Sequence, residues 1–201
     1  VAEREEYADE TFDDEDWYAR ELGDALFVRC SFTEVDLTEA RSKGATFEEC
    51  EFSRCKFNAA EFSATAFVGC TFRRTSFFGV TLDGCKVSGS TFVECVLRPI
   101  TVRGGQWVGA VMRGADLAKQ TFADVKLSDA DLSEANLSEA TLRGCDLSFA
   151  TLRGTDLRKA DLRGCTLSAV DLRSAILGET KLDLAGAVAL AESLGAVVDV
   201  E

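Results

Sequence analysis

From Phe12 to Leu182 every fifth residue is large and apolar, and the register never slips. The series runs Phe12, Trp17, Leu22, Phe27, Phe32, Leu37 and so on to Leu172, Leu177 and Leu182, with Ser42 as its one small polar member. A second series, two residues before each of these centres, is built from small side chains. It begins Ala25, Cys30, Val35, Ala40, Ala45, Cys50, Cys55, Ala60, and later reads Ala130, Ala135, Ala140, Cys145, Ala150, Thr155, Ala160, Cys165. Gly105 and Gln120 fit it poorly. The other three positions of each five are polar or small.

A helix face recurs every 3.6 residues, so a strict period of five drifts around a helix, and a simple strand alternates at two. Inward positions spaced two and then three describe something else. A small residue in, one out and a large one in make a short strand, and two further residues turn a corner. Four such sides close a square coil of 20 residues, and the chain becomes an all-β solenoid of parallel strands ~4.8 Å apart. Residues 25–184 then form about eight coils and a rod ~38 Å long. The 20-residue period stacks Thr81, Thr101, Thr121 and Thr141 on one side. It places Gly84, Gly104, Gly144 and Gly164 at one corner, where positive φ favours glycine. Arg113, Arg153 and Arg173 share a column and are expected to splay into solvent. Phe dominates the centres from Phe27 to Phe77 and Leu from Leu117 to Leu182, so the interior is expected to be wider, or differently turned, toward the N-terminal half.

A solenoid needs covered ends. The reading divides the chain into an acidic N-terminal cap or arm (1–24), the β-helix (25–182) and a C-terminal cap (183–201). In the last segment Asp183 is the expected N-cap, Ala185 to Leu194 the helix and Gly195 its stop, with a strand over Val197, Val198 and Val200. Leu184, Val188, Ala191, Leu194, Val197 and Val198 either plug the rod or also join two subunits.

The net charge is −13, and 11 of the 35 acids fall between Val1 and Asp24. Such a surface repels nucleic acid and anionic membrane and suits a basic partner. Histidine is absent, which removes the commonest general base and metal ligand. No phosphate-binding loop, dinucleotide fingerprint or nucleophile–base pair occurs, so the chain is read as a non-enzyme that takes no cofactor and no metal. No apolar run reaches the ~18 residues of a membrane span, and no secretory signal opens the sequence. All eight cysteines sit on the small inward position, so they are expected to be buried thiols in a reducing compartment, the cytoplasm.

Duplex DNA carries one charge per ~1.7 Å, so ~38 Å of it carries ~22 charges. An acidic rod with −13 has about half that and could occupy a basic DNA channel. The candidate contact residues are Glu34, Glu39, Glu48, Glu49 and Glu51, and a second cluster of Asp124, Asp129, Asp131, Glu134 and Glu139.

The repeat itself, plain in "ADLSEANLSEATLRGCDLSFATLRGTDL" at 130–157, resembles the A(D/N)LXX motif of the pentapeptide-repeat family. That resemblance implies a right-handed quadrilateral parallel β-helix. "FDDED" at 12–16, "FVRCSFTEVDL" at 27–37, "STFVECVLRPIT" at 90–101 and "KLDLAGAVALAESLG" at 181–195 look like the MfpA branch of the MfpA/Qnr group of fluoroquinolone-resistance proteins. Within that group the resemblance implies a homodimer joined through its C-terminal caps. It would mimic B-form DNA, bind DNA gyrase (and topoisomerase IV as a further candidate), modulate or inhibit it, and protect it from quinolones. The unbroken register argues against the inserted loops of the Qnr branch. The rivals are an acidic interaction scaffold with another partner and an immunity protein against a topoisomerase poison. Ice binding by the threonine column is disfavoured, because Asp83, Arg103 and Arg143 interrupt a flat lattice.

Overall fold

A computed structural model describes residues 4–199. The chain winds as a four-sided parallel solenoid in which each side is a three-residue strand or a single bridge. In Thr46–Glu48 the middle residue, Phe47, is fully buried while its neighbours face out, and Ala45 beside it is buried too. This is the two-then-three spacing realised in space.

Corners recur at every fifth residue with positive φ, and most are not glycine: Asp9, Asp14, Ala19, Arg29, Glu34 and Glu39 all lie between +51° and +58°. An L-residue there pays about 1–2 kcal/mol, which the inter-coil ladder overrides. In the glycine column Asp124 (φ 57°) stands between Gly104 and Gly144, so glycine is favoured at that corner without being required.

Residues one coil apart pair in register around the rod. On the first side Glu6, Leu26, Thr46 and Ala66 align, followed by bridges through Lys86, Gln106, Lys126 and Asp146 to Thr166, eight steps in all. The second side begins at Thr11–Asp13 and the fourth carries the aligned Thr81, Thr101, Thr121 and Thr141. Coiling starts ahead of the expected boundary at Ala25. Glu6–Ala8 already pairs with Leu26–Val28, and Phe12, Trp17 and Leu22 are buried. Glu6, Asp9, Asp13, Asp14, Asp16 and Glu21 sit at outward or corner positions, and Glu5, Glu10 and Glu15, which fall on the inward series, are exposed at the open end of the rod, so charge does not oppose coiling.

In-register pairing stacks the aromatic centres. Phe27, Phe47 and Phe67 form a column with ring centroids 4.7 and 4.9 Å apart and planes within 6°. Phe32, Phe52, Phe72 and Phe92 form a second, with spacings of 4.5 to 4.9 Å. Most Phe centres lie in extended strands whose corners lack a local hydrogen bond. The Leu half turns its corners with one, as in Ala140 N–H donating to Leu137 C=O at 3.0 Å with Glu139 at φ 59°, the type II arrangement. The two halves are thus differently turned.

Cys, Ser and Thr at the small inward position share a bond that size alone does not explain. All but Cys30, which donates only to Val28 C=O of its own coil, and Thr65, which donates to the Ser42 hydroxyl and Ser63 C=O, donate the side-chain proton to the carbonyl of a centre residue in the preceding coil. Cys55 donates to Phe32, Cys85 to Phe62, Thr75 to Phe52, Ser90 to Phe67 and Thr155 to Leu132. The two poor fits also resolve. Gly105 is required because a Cβ there would lie 2.2 Å from the Cys85 carbonyl oxygen. Gln120 repairs a gap left by Pro99. At this corner the amide of each coil normally donates to the next, as Gly79 N–H does to Pro99 C=O, but Pro99 has no N–H to offer Ala118. The Gln120 side chain donates to Ala118 C=O (2.9 Å) instead and accepts from Ile100 N–H (2.8 Å). Ser42, the odd centre, is 5% exposed and accepts protons from Ala45 N–H and Thr65 Oγ1.

The rod ends in a short 3-10 turn (Leu172–Ser174) and helix α1 (Leu184–Ser193). Asp183 caps the helix by accepting from Gly186 N–H (2.9 Å), and it also accepts from Gly164 N–H of an earlier coil (2.7 Å), tying the cap to the rod. Leu182, Ala189 and Leu190 pack on the core. The expected strand after the helix does not form at Val197 or Val198, because a strand needs a neighbour to pair with and this stretch has none. Val200 lies outside the described residues.

Candidate functional site

The eight thiols are free, and Cys95 alone is half-buried rather than buried. Burial pushes the thiols of Cys55, Cys85, Cys95 and Cys145 up to about 11 and that of Cys165 to about 12. A thiol so far above neutrality is neither a nucleophile nor a ready metal ligand. Among the described residues no group of three or more Cys, Asp or Glu converges to hold a metal, and no helix is long and apolar enough to cross a membrane.

What remains is surface, and its ion pairs follow the coil. Arg29 pairs with Asp9, Arg54 with Glu34 and Lys56 with Asp36, each exactly one coil back, while Arg74 reaches forward to Glu94. Arg143 and Arg163 both engage Asp161 and hold its carboxyl well below the usual range, the Arg163 hydrogen bond being the largest cause. Arg113 and Arg173 reach into solvent as expected, and each also meets a carboxylate there. Arg113 turns onto Asp131 and Arg173 onto Asp171, because carboxylates lie within reach.

These pairs divide the ten candidate acids. Glu34, Glu139 and Asp131 are engaged by Arg54, Lys119 and Arg113. Burial alone would raise the Asp131 carboxyl, but hydrogen bonds from Ser133 and Arg113 outweigh it and hold the group low. Glu39 accepts from the Tyr18 hydroxyl at 2.8 Å. Among the described residues Glu48, Glu49, Glu51, Asp124, Asp129 and Glu134 have no ion-pair partner. The register does not gather all ten on one face. Glu48, Glu49 and Glu51 wrap the corner between the first and second sides, and Asp129 lies in the same corner column as Glu49, four coils further on. Glu34 and Glu134 share the next corner, Glu39 and Glu139 the one after, and Asp124 the fourth. Four coils are ~19 Å of rod. Three acids outside the candidate set extend the first two corners toward the N-terminus. Asp13 lies at an outward position, Asp14 at a corner and Glu10 on the inward series left exposed at the end of the rod, and none of the three has an ion-pair partner among the described residues. The apolar register at Phe12 and Trp17 was the signal that this segment belongs to the rod.

At the other end the six candidate interface residues differ in exposure. Leu184, Leu194 and Val197 are 78%, 66% and 97% exposed, while Val188, Ala191 and Val198 are half-buried. A groove of about 470 Å³ runs between α1 and the last coil, lined by Leu167, Val170, Ala185, Val188 and Ala189 among others.

The sequence profile of pentapeptide repeats matches residues 25–63, 110–148, 121–158 and 150–185, and a second pentapeptide-repeat profile matches 45–122. The chain belongs to the pentapeptide-repeat family. No curated protein matches this family member significantly in sequence. Among solved structures, this pentapeptide-repeat chain superimposes on a trypsin-treated form of QnrB1, a plasmid-mediated fluoroquinolone resistance protein. The TM-score is 0.86 at 24% identity, over 98% of each chain. A second trypsin-treated form gives 0.72 at 21% identity, over 96% of this chain and 99% of that one. Full-length QnrB1 gives 0.58 at 21%, over 95% and 100%. At these identities the likeness is one of fold.

Proposed function

We propose that this chain binds DNA gyrase as a mimic of the DNA duplex, modulates or inhibits it, and shields it from fluoroquinolones, as a relative of the MfpA branch. The observation that carries this reading is the set of unpaired carboxylates along the rod: Glu48, Glu49 and Glu51 at one corner, Asp129 further along the same corner, and Glu10, Asp13 and Asp14 toward the N-terminus. A basic channel built for phosphates meets a row of fixed negative charges whose desolvation is not offset by internal partners. The engaged acids Glu34, Asp131 and Glu139 contribute less, because their charge is already compensated. The likeness to QnrB1 supports the same reading at the level of shape.

A homodimer joined through the C-terminal caps doubles the length of the mimic. Leu184, Leu194 and Val197 are the side chains it would cover. The free buried thiols support a cytoplasmic setting.

Gyrase supercoiling titrated with this protein, with and without ciprofloxacin, tests the reading. Inhibition, or rescue from drug-induced cleavage, supports it. Reversing Glu48, Glu49 and Glu51 to Lys should weaken the effect more than reversing Glu139, and added salt should weaken it further. No effect at micromolar protein sinks the gyrase reading and leaves an acidic scaffold for another basic partner, or an immunity protein for a different poison. The dimer is tested by sedimentation of Val188→Asp/Leu194→Asp. A monomer both before and after the change removes the cap interface.

A further inference from the structure

We propose that the rod bends at a seam on its third side, between residues 95–98 of one coil and 115–118 of the next. Among the described residues the one other gap of this kind lies at the C-terminal end, where the second side lacks its bonds between 150–152 and 171 beside the 3-10 turn. Around the seam the ladder of this side is regular. The centre amide donates to the coil ahead, as Leu37 to Lys56, Phe57 to Ser76, Phe77 to Val96 and Leu117 to Asn136. The preceding residue donates to the coil behind, as Lys56 to Val35, Ser76 to Cys55, Val96 to Thr75 and Asn136 to Ala115. At the seam both bonds are absent. Among the described residues Leu97 N–H has no backbone partner where Asp116 C=O should stand, and Asp116 N–H none where Cys95 C=O should stand. The bridges of this side stop at Val96 and resume at Asp116.

The other three sides of the same coil-to-coil interface are closed. Val111 is bridged to Thr91, Thr101 is paired in register with Thr121, and Gln106 is bridged to Lys126. The break is therefore one-sided. A second observation marks the same place. The small inward residues flanking the seam, Cys95 and Ala115, are half-buried, whereas their column mates inside the rod, Val35, Cys55, Thr75, Ala135 and Thr155, are at most 1% exposed; Ala175, in the last coil, is half-buried at the rod's end. The ties across the gap are side chains. They are the Gln120 clip to Ile100 N–H and Ala118 C=O, and the Arg98–Asp116 ion pair at 2.7 Å. Both joined groups of that pair are roughly half exposed, and an exposed pair is a weak, salt-screened tie.

A parallel ladder resists bending because tilting one coil stretches the inter-coil hydrogen bonds on the outer side. Where one side has none, the closed sides act as a hinge edge and the open side widens and narrows. The motion tilts the segment before Val96 against the segment after Asp116. It lets a rod fit partners of different curvature without unwinding a coil. This inference rests on the seam alone and does not depend on gyrase.

Spin-label pairs spanning the seam test it on the isolated protein. One pair replaces Lys56 and Asp156 on the open side; the other replaces Thr46 and Asp146 on the opposite side. Labels are carried on ketone-bearing unnatural residues, so that native thiols do not compete. Each pair spans five coils, a mean separation of ~24 Å. The distance distribution of the open-side pair should be about twice as wide. Amide exchange at Leu97 and Asp116 should be at least ~100-fold faster than at Phe77 and Asn136, which are bonded. Equal widths for the two pairs overturn the proposal, as does protection of Leu97 and Asp116 to the level of their neighbours.

Discussion

Replacing Gln120 by Ala should cost about 2–6 kcal/mol, because it strands two buried backbone groups at once. The magnitude follows from what the side chain holds. Ile100 and Ala118 are both buried, and the Ile100 N–H and Ala118 C=O lose the only partners they have among the described residues when the carboxamide goes. Each buried group left unpaired costs about 1–3 kcal/mol. Urea unfolding followed by circular dichroism measures the loss. Because solenoids unfold in pieces, the exchange rate of the Ile100 amide serves as the local reading. Gln120→Glu separates the two bonds. A carboxylate still accepts from Ile100 N–H but cannot donate to Ala118 C=O, so this variant should recover stability when acid protonates it, whereas Gln120→Ala should not. Adding Pro99→Ala to Gln120→Ala supplies a backbone N–H at the corner and should restore part of the loss. The reasoning fails if Gln120→Ala unfolds within ~1 kcal/mol of the parent, the worth of a single ordinary hydrogen bond, and the Ile100 amide stays protected.

Gly105→Ala should destabilise by about 1–3 kcal/mol or abolish folding, since its Cβ meets the Cys85 carbonyl. Gly84→Ala, with φ +61° and nothing within 4 Å, should cost only about 1 kcal/mol, and thermal melts of the pair separate crowding from backbone preference. Stability should fall as pH rises above the ordinary thiol range toward about 11. The unfolded chain releases the protons of Cys55, Cys85, Cys95 and Cys145 there while the folded chain keeps them. Each pH unit costs ~1.4 kcal/mol per such thiol. Urea midpoints from pH 8 to 10 check the slope, and a flat profile refutes it. At pH 8 those thiols should react with iodoacetamide at least ~50-fold more slowly in native protein than in urea.

The period of five made the coil legible because a centre such as Phe47 leaves no other way to bury itself and Ala45 together. Val197 and Val198 suggest a C-terminal strand in sequence, but their β-preference cannot act without a neighbour. The first coil looks like an acidic cap or arm in sequence because Asp13, Asp14 and Asp16 dominate its composition, although their outward and corner positions leave the core of Phe12 and Trp17 intact. The candidate acids were legible as charges but not as free charges. The Arg54–Glu34 and Lys119–Glu139 pairs follow from the coil period, whereas Arg113 reaches Asp131 just short of a full coil, a choice of rotamer that no spacing states. The side-chain bond to the preceding coil was hidden because Cys, Ser and Thr look alike only as small residues until a carbonyl stands opposite them.

That bond makes sulfur replaceable in this protein. What the coil asks of its inward position is a compact group with one proton to give, and Thr75, Ser90 and Thr155 already meet the request with oxygen. A version rewritten with Ser or Thr at every cysteine keeps each cross-coil link, where alanine would delete it. Such a rod would hold its shape in oxidising surroundings, outside the setting its thiols now suit. It would also accept a single introduced thiol anywhere on its surface as a unique chemical handle.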